Sequence, residues 1–194
     1  MGAIATGLQA CHARIEAACA QAGRQPGDVR LLAVSKTFPA ESIREAWRAG
    51  QSTFGESYVQ EAMAKLEALR DLPIEWHFIG PLQSNKTRPV AERFDWVHGV
   101  DRLKIAERLA AARPAAMPAL NVLVQVNVGG EASKSGVAPA EAVHLARAVA
   151  GLSHLRLRGF MTIPRPTDDM GGLRAQFGML RRLLDEARAG GLEV

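Results

Sequence analysis

The sequence predicts an α/β protein of the (β/α)8 barrel type, and three observations lead there. Short apolar runs alternate with amphipathic helical segments along the whole chain, as βα units that build a parallel sheet do. The run Leu120 to Val128 is rich in valine and apolar at nearly every position, the pattern of a parallel strand buried on both faces. No Gly-x-Gly-x-x-Gly follows the first strand, so the fingerprint of an open dinucleotide-binding sheet is missing. A barrel of this type needs eight strands, and the chain reads as one helix followed by six βα units. The expected architecture is therefore a single barrel domain over residues 1–194. It carries an extra N-terminal helix and lacks its last one or two βα units, with Val194 as the first step into a seventh strand.

Each element has a local reason. Ile4, Leu8, Cys11, Ile15, Ala18 and Cys19 recur at helical spacing over residues 3–22, and Gly23 stops that helix. Gly27-Asp28 turns the chain into Leu31-Leu32-Ala33-Val34, a short strand expected to be buried on both faces. It runs into Ser35-Lys36-Thr37 and is ended by Pro39. Pro39 also starts a helix that presents Ile43, Ala46 and Trp47 on one face and is capped by Gly50. A strand of two or three residues at Thr53-Phe54 leads through Gly55-Glu56-Ser57-Tyr58 into a helix ending near Leu69. Ile74 to Gly80 is the third strand, and Pro81 to Lys86 is a loop before a helix ending at Arg93. Trp96-Val97-His98 is the fourth strand, and Asp101 is placed to cap the next helix, which carries Leu103, Ile105, Ala106 and Leu109. After the valine-rich fifth strand come a helix at 138–150, a sixth strand from Leu155 to Met161 closed by Ile163-Pro164, and a last helix at 171–189.

Composition narrows the function. With 47% hydrophobic and 23% charged residues the chain reads as an ordinary globular protein. Its 24 basic residues stand against 20 acidic ones and are dispersed over predicted helices, which argues for a solvated surface and against a nucleic-acid face. No stretch reaches the length of a membrane span, and residues 1–20 lack the basic start and unbroken apolar core of a signal peptide. Cys11 and Cys19 lie eight apart on one helix and make neither a disulfide framework nor a metal site. The expectation is a cytoplasmic protein that binds no metal.

In parallel α/β folds ligands bind at the carboxyl ends of the strands. Lys36, Ser57, His77, Gln83, Ser84, Asn85, Lys86, Asn127, Lys134, Ser135 and Thr162 are all expected at that rim. A lysine with its stem in an apolar wall and its amine at the rim is a candidate for a Schiff base with a carbonyl compound. Position alone fits a solvated lysine equally well. His77, between Trp76 and Phe78, projects from the face opposite both aromatics, as a satisfied core histidine also would. Gly80-Pro81-Leu82-Gln83-Ser84-Asn85-Lys86 suits a loop over a ligand or a plain surface loop. Ser133-Lys134-Ser135-Gly136 resembles a small anion nest.

Five segments follow one another in a recognisable order: Ala33 to Thr37, Phe54 to Glu61, Trp76 to Lys86, Gln125-Val126-Asn127 with Ser133 to Gly136, and Gly159 to Pro164. In this the chain closely resembles the pyridoxal phosphate homeostasis proteins, single-domain relatives of the alanine racemase barrel. The resemblance implies that pyridoxal 5′-phosphate is held as a Schiff base on Lys36. It also implies that Val34, Ser57, His77, Gly80 and Met161 wall the cofactor pocket. Ser57 stands where the family usually has asparagine, and Phe160 where it usually has leucine. The family's Ser-Met-Gly-Met-Ser segment and its later Arg-Ile-Gly segment, which cradle the phosphate, do not occur in these 194 residues. Were these 194 residues the whole polypeptide, the expectation would be weak cofactor binding and a tendency to associate or misfold through open sheet edges.

The expected function is a non-catalytic carrier for intracellular pyridoxal phosphate homeostasis that serves apo enzymes needing this cofactor. A monomer is expected, with no catalytic residues, no nucleic-acid partner and no membrane partner. The alternative is a pyridoxal phosphate-dependent amino-acid racemase. That reaction needs two opposed bases, and in the racemases the second is a tyrosine from a separate β domain. The chain has one tyrosine, Tyr58, which reads more simply as packing at a helix start. A cofactor-free lysine aldolase would use Lys36 but leaves the ordered loops unexplained.

Overall fold

The computed structural model describes residues 2–131, 134–164 and 167–194. In chain order these form α1 (Ala3–Gln21), β1 (Ala33–Val34), α2 (Ala40–Arg48), β2 (Thr53–Glu56), α3 (Val59–Ala68), β3 (Glu75–Phe78), α4 (Thr87–Arg93), β4 (Trp96–Val100), α5 (Leu103–Ala112), β5 (Leu120–Gln125), α6 (Pro139–Ala150), β6 (Leu155–Met161) and α7 (Met170–Ala189). The alternation is the expected one, a leading helix and then βα units. The described residues fall into two compact units, 1–77 and 78–194.

In the first unit β1 pairs in parallel with β2, Ala33 opposite Phe54 and Val34 opposite Gly55. The start of β3 is tied to the start of β2 by the Glu75 N–H, which donates to Ser52 O at 3.0 Å. The core is made by Ile43 and Ala46 of α2, Phe54, Ala62 and Leu66 of α3, and Leu69, Ile74 and Trp76. The rings of Phe54 and Trp76 meet at 6.1 Å. Below them Gln51 is buried, and its amide donates to Leu31 O and Thr53 O. That supplies partners a buried polar group needs.

One expectation fails in this unit, and one strand boundary moves. β1 is not buried on both faces: Ala33 is half-buried and Val34 is 49% exposed. Its ladder is only two residues long, so the strand is a rim and not a core member. On α1, Cys19 is buried, Ile4, Leu8 and Ile15 are half-buried, and Cys11 and Ala18 are exposed, as suits a helix packed as a flank against α2. β2, in turn, extends two residues further than Thr53-Phe54 and is buried throughout.

In the second unit β4, β5 and β6 are parallel and adjacent. Leu120, Val122 and Val124 of β5 are fully buried, whereas Asn121 and Leu123 are half-buried. β5 ends at Gln125, before the expected Val128. The chain then folds back so that the Val137 N–H donates to Gln125 O and the Asn127 N–H to Val137 O, both at 2.9 Å. Gly136 makes this fold possible: its φ is +119°, and a Cβ there would lie 2.7 Å from Asn127 N. Asp101 does not cap α5. The N-cap position is Arg102, and the Asp101 carboxylate accepts from that arginine at 2.6 Å, a charged partner nearer than the helix amides. At α4 the free carbonyls are met by a buried cation: the Arg113 guanidinium donates to Ala91 O at 2.6 Å and to Phe94 O at 2.8 Å. Burial lowers the Arg113 pKa against the raising charge of Asp95.

Candidate functional site

Lys36 sits on the turn that leaves β1, and it is exposed. β1 ends at Val34, two residues before the lysine, so Lys36 lies beyond the strand and not within it. Val34 and Ser35 line an apolar cavity of about 530 Å³, shared with Ile4, Leu8, Phe38 and Phe54.

The turn itself is held from underneath. Ser35 is buried; its N–H donates to Gly55 O at 2.9 Å and its hydroxyl to Glu56 Oε1 at 2.7 Å. Glu56, the last residue of β2, is 0% exposed. Lys65 of α3, 6% exposed, reaches in to meet it. The Lys65 ammonium donates to Ser35 O at 2.7 Å, to Glu56 Oε1 at 2.8 Å and to Glu61 Oε1 at 2.5 Å. These use all three donors of a lysine. Glu61 also accepts the Thr37 N–H at 2.6 Å. Residues on both sides of Lys36 are thus bonded to one buried charge cluster.

Thr37 has φ +68°. A β-branched residue in the left-handed region is a true outlier, costing about 1–3 kcal/mol, and persists only where surroundings over-determine it. The Glu61 carboxylate is the group that does so, on one side, and the Phe38 N–H to Ser35 O bond closes the turn on the other. Hydrogen bonding from Lys65 lowers the Glu61 pKa; burial opposes this, and the Thr37 N–H adds to it. The other Glu56 oxygen, Oε2, is buried and accepts no hydrogen bond among the described residues. Lys65 is therefore the charge that keeps Glu56 tolerable in the interior.

Ser57 follows β2 and is half-buried. Tyr58 is the N-cap residue of α3 and is 54% exposed, with the Ala62 N–H donating to its carbonyl. His77 is buried, and its Nε2 is 2.7 Å from Glu75 Oε1, two residues back on the same strand face. Arg30 forms an ion pair with the same carboxylate. Burial alone would raise the Glu75 pKa, but the His77 hydrogen bond and the Arg30 charge more than offset it, and the carboxyl lies below its usual range. The imidazole thus engages a charge pair at the amino end of β3.

In the second unit Gly80 is buried, and a Cβ on Gly99 of β4 would lie 2.8 Å from its carbonyl oxygen, so the close approach depends on the missing side chain of Gly99. Met161 ends β6, half-buried, its carbonyl taking the Val126 N–H at 2.8 Å. The Thr162 hydroxyl donates to Val126 O at 2.8 Å. The Asn127 amide is used internally, donating to Glu131 O at 2.8 Å. Lys134 is paired with Glu131 at 2.9 Å, which balances its charge. Ser133, one member of the expected anion nest, lies outside the described residues.

The structure brings Val34 and Lys36 together on the β1 turn, with Ser57 at the end of the adjacent, parallel β2. It adds three residues that were not singled out: Glu56, Glu61 and Lys65. The donor set at Lys36 fits an aldehyde ligand, because a primary amine stands exposed on a turn fixed by buried charge. Among the described residues no cluster of His, Cys, Asp or Glu fits a metal ion, and no helix is long and apolar enough to cross a membrane.

Comparison with known proteins follows the same direction. Residues 7–194 match the family described as alanine racemase, N-terminal domain. A pyridoxal phosphate homeostasis protein of Pseudomonas aeruginosa is 57% identical over 190 residues, covering 98% of this chain and 83% of the relative. The structure of a protein of unknown function from Bifidobacterium adolescentis superposes with a TM-score of 0.91 at 37% identity, over 97% of this chain and 80% of that one. PipY of Synechococcus elongatus, solved with pyridoxal phosphate bound, superposes with a TM-score of 0.77 at 35% identity, over 91% of this chain and 82% of that one.

Proposed function

The chain belongs to the pyridoxal phosphate homeostasis protein family, with an alanine racemase N-terminal domain, and from that premise we propose that it binds pyridoxal 5′-phosphate covalently and reversibly through Lys36. The observation that carries the reading is the exposed amine of Lys36 on a turn whose two flanking residues are bonded to buried charge. Pyridoxal phosphate, when bound, would supply an aldehyde, with which the Lys36 amine would condense, its two hydrogens leaving with the aldehyde oxygen as water. Lys36 provides the nitrogen. Val34 offers an exposed apolar surface one residue before the turn, and Ser57 a hydroxyl at the end of β2. Gly80, which follows β3, and Met161, which ends β6, are proposed as cofactor-binding residues on the family resemblance. His77, already bonded to Glu75, is proposed as a packing member that fixes the β3 backbone.

We read the protein as a carrier that limits free aldehyde and passes the cofactor to apo enzymes. Racemisation would require a second base opposite Lys36. Tyr58 is the one tyrosine of the sequence, and it is the exposed N-cap residue of α3. The relatives' names support a homeostatic role. Adding pyridoxal phosphate to the purified protein should give a visible absorption band that borohydride bleaches, and Lys36→Ala should give none while remaining folded. Amino-acid racemisation at ordinary enzyme rates, about 1–1000 per second, lost in Lys36→Ala, would instead establish an enzyme.

A further inference from the structure

We propose that Glu56, Glu61 and Lys65 are positioning residues that fix the Ser35–Lys36–Thr37 turn and so make Lys36, among the chain's lysines, the one that captures the cofactor aldehyde. The inference rests on the carrier reading above and goes beyond it, because none of the three need touch the ligand.

The geometry is specific. Lys65 Nζ bonds the backbone carbonyl before Lys36, and Glu61 Oε1 bonds the amide after it. The two are bonded to each other at 2.5 Å, so Ser35, Lys65, Glu61 and Thr37 form a closed bracket around the lysine's own peptide units. Glu56 anchors the bracket to β2 by accepting from both Ser35 Oγ and Lys65 Nζ. Without the bracket, Thr37 has reason to leave its strained φ of +68°, and the turn would sample other conformers. An amine on a fixed turn loses less freedom on binding than one on a mobile turn, which is affinity gained by preorganisation. Lys104, exposed like Lys36, lies on α5 and not on the bracketed turn. Lys134 has a carboxylate partner, and Lys65 has no free donor.

The sequence explains why one helix can do this. Glu61 and Lys65 are i and i+4 on α3, one turn apart on the same face. That face also carries Ala62 and Leu66 into the core, which draws the lysine stem inward with them.

The test compares the full chain with Glu61→Gln and with the double variant Glu56→Gln/Lys65→Met. The double variant removes the pair without leaving a lone buried charge. Glu61→Gln alters a carboxylate that is 31% exposed and keeps a neutral acceptor, so it tests the bracket even if the double variant does not fold. Three quantities are read: the pyridoxal phosphate Kd by absorbance, the share of borohydride-fixed adduct on Lys36 by peptide mass, and amide exchange of residues 35–38 without cofactor. We expect Glu61→Gln to raise Kd about tenfold, the difference between charged and neutral acceptors. Exchange at Thr37 should quicken in the same variant. The double variant should lose more and spread adduct to Lys86 or Lys104. Wild-type Kd and Lys36 selectivity in the folded variants overturn the proposal while leaving the carrier reading intact. Weaker capture with unaltered exchange at 35–38 also overturns it, since the effect would not pass through the turn. A wild-type chain with no adduct on Lys36 overturns both.

Discussion

Lys65 is the most consequential single residue of the first unit after Lys36, because it is the counter-charge of a fully buried carboxylate. Replacing it alone by methionine keeps the stem volume but strands Glu56, and breaking a buried pair in this way costs about 3–5 kcal/mol. For a chain of this size, where about 2–4 °C of Tm follows each kcal/mol, Lys65→Met should melt roughly 10 °C below wild type. The double variant with Glu56→Gln should recover much of the loss. Equal Tm values for wild type and Lys65→Met would show that the pair contributes nothing to stability.

Glu61 gives a pH signature of the same cluster. Its folded pKa is depressed, chiefly by the Lys65 hydrogen bond. A depressed carboxylate stabilises the fold fully above its unfolded value, about 4.3, and that stabilisation is lost as the pH falls through the lower folded value. Wild type and Glu61→Gln should therefore differ most in Tm at neutral pH and converge below about pH 4. A difference that grows in acid would reverse the assigned sign. None of this was legible in the sequence. Glu61 and Lys65 have the spacing of an ordinary solvent-facing ion pair, and Glu56 seemed to lie past the end of a two-residue strand.

At the scale of elements the sequence is read most accurately where periodicity runs long. β6 has the expected limits, and α6 and α7 start one residue from theirs, because alternating glycines and apolar runs mark their ends. Boundaries fail where tertiary contacts decide them. β5 stops at Gln125 because the 134–137 segment takes over its backbone bonds, a pairing that apolar content alone does not encode. Asp101 misses its cap because Arg102 is the nearer partner. The fold-back after β5 depends on Gly136, whose replacement by alanine adds a left-handed strain to a close contact with the Asn127 amide. Gly136→Ala should lower stability by about 1–3 kcal/mol, measurable as a lower urea midpoint with unchanged slope. No change in midpoint would mean that the loop relaxes freely.

For the molecule as a whole, alternating strands and helices fixed the fold class, and the ordered loop segments fixed the family. The position of the lysine was legible as well: Lys36 follows the first strand. Its surroundings were not, because an apolar run before a lysine suggests a buried stem, whereas here only two residues pair and the turn emerges into solvent. What holds the turn is the buried charge bonded to the residues on either side of the lysine. The account therefore stands on one covalent bond at one nitrogen. The most direct measurement incubates the purified chain with an equimolar amount of pyridoxal phosphate, fixes it with borohydride and maps the modified peptide by mass. The account predicts a single addition, on the peptide containing Lys36, absent from Lys36→Ala. Adduct distributed over Lys86, Lys104 and Lys134 in proportion to their exposure, with no preference for Lys36, would contradict it.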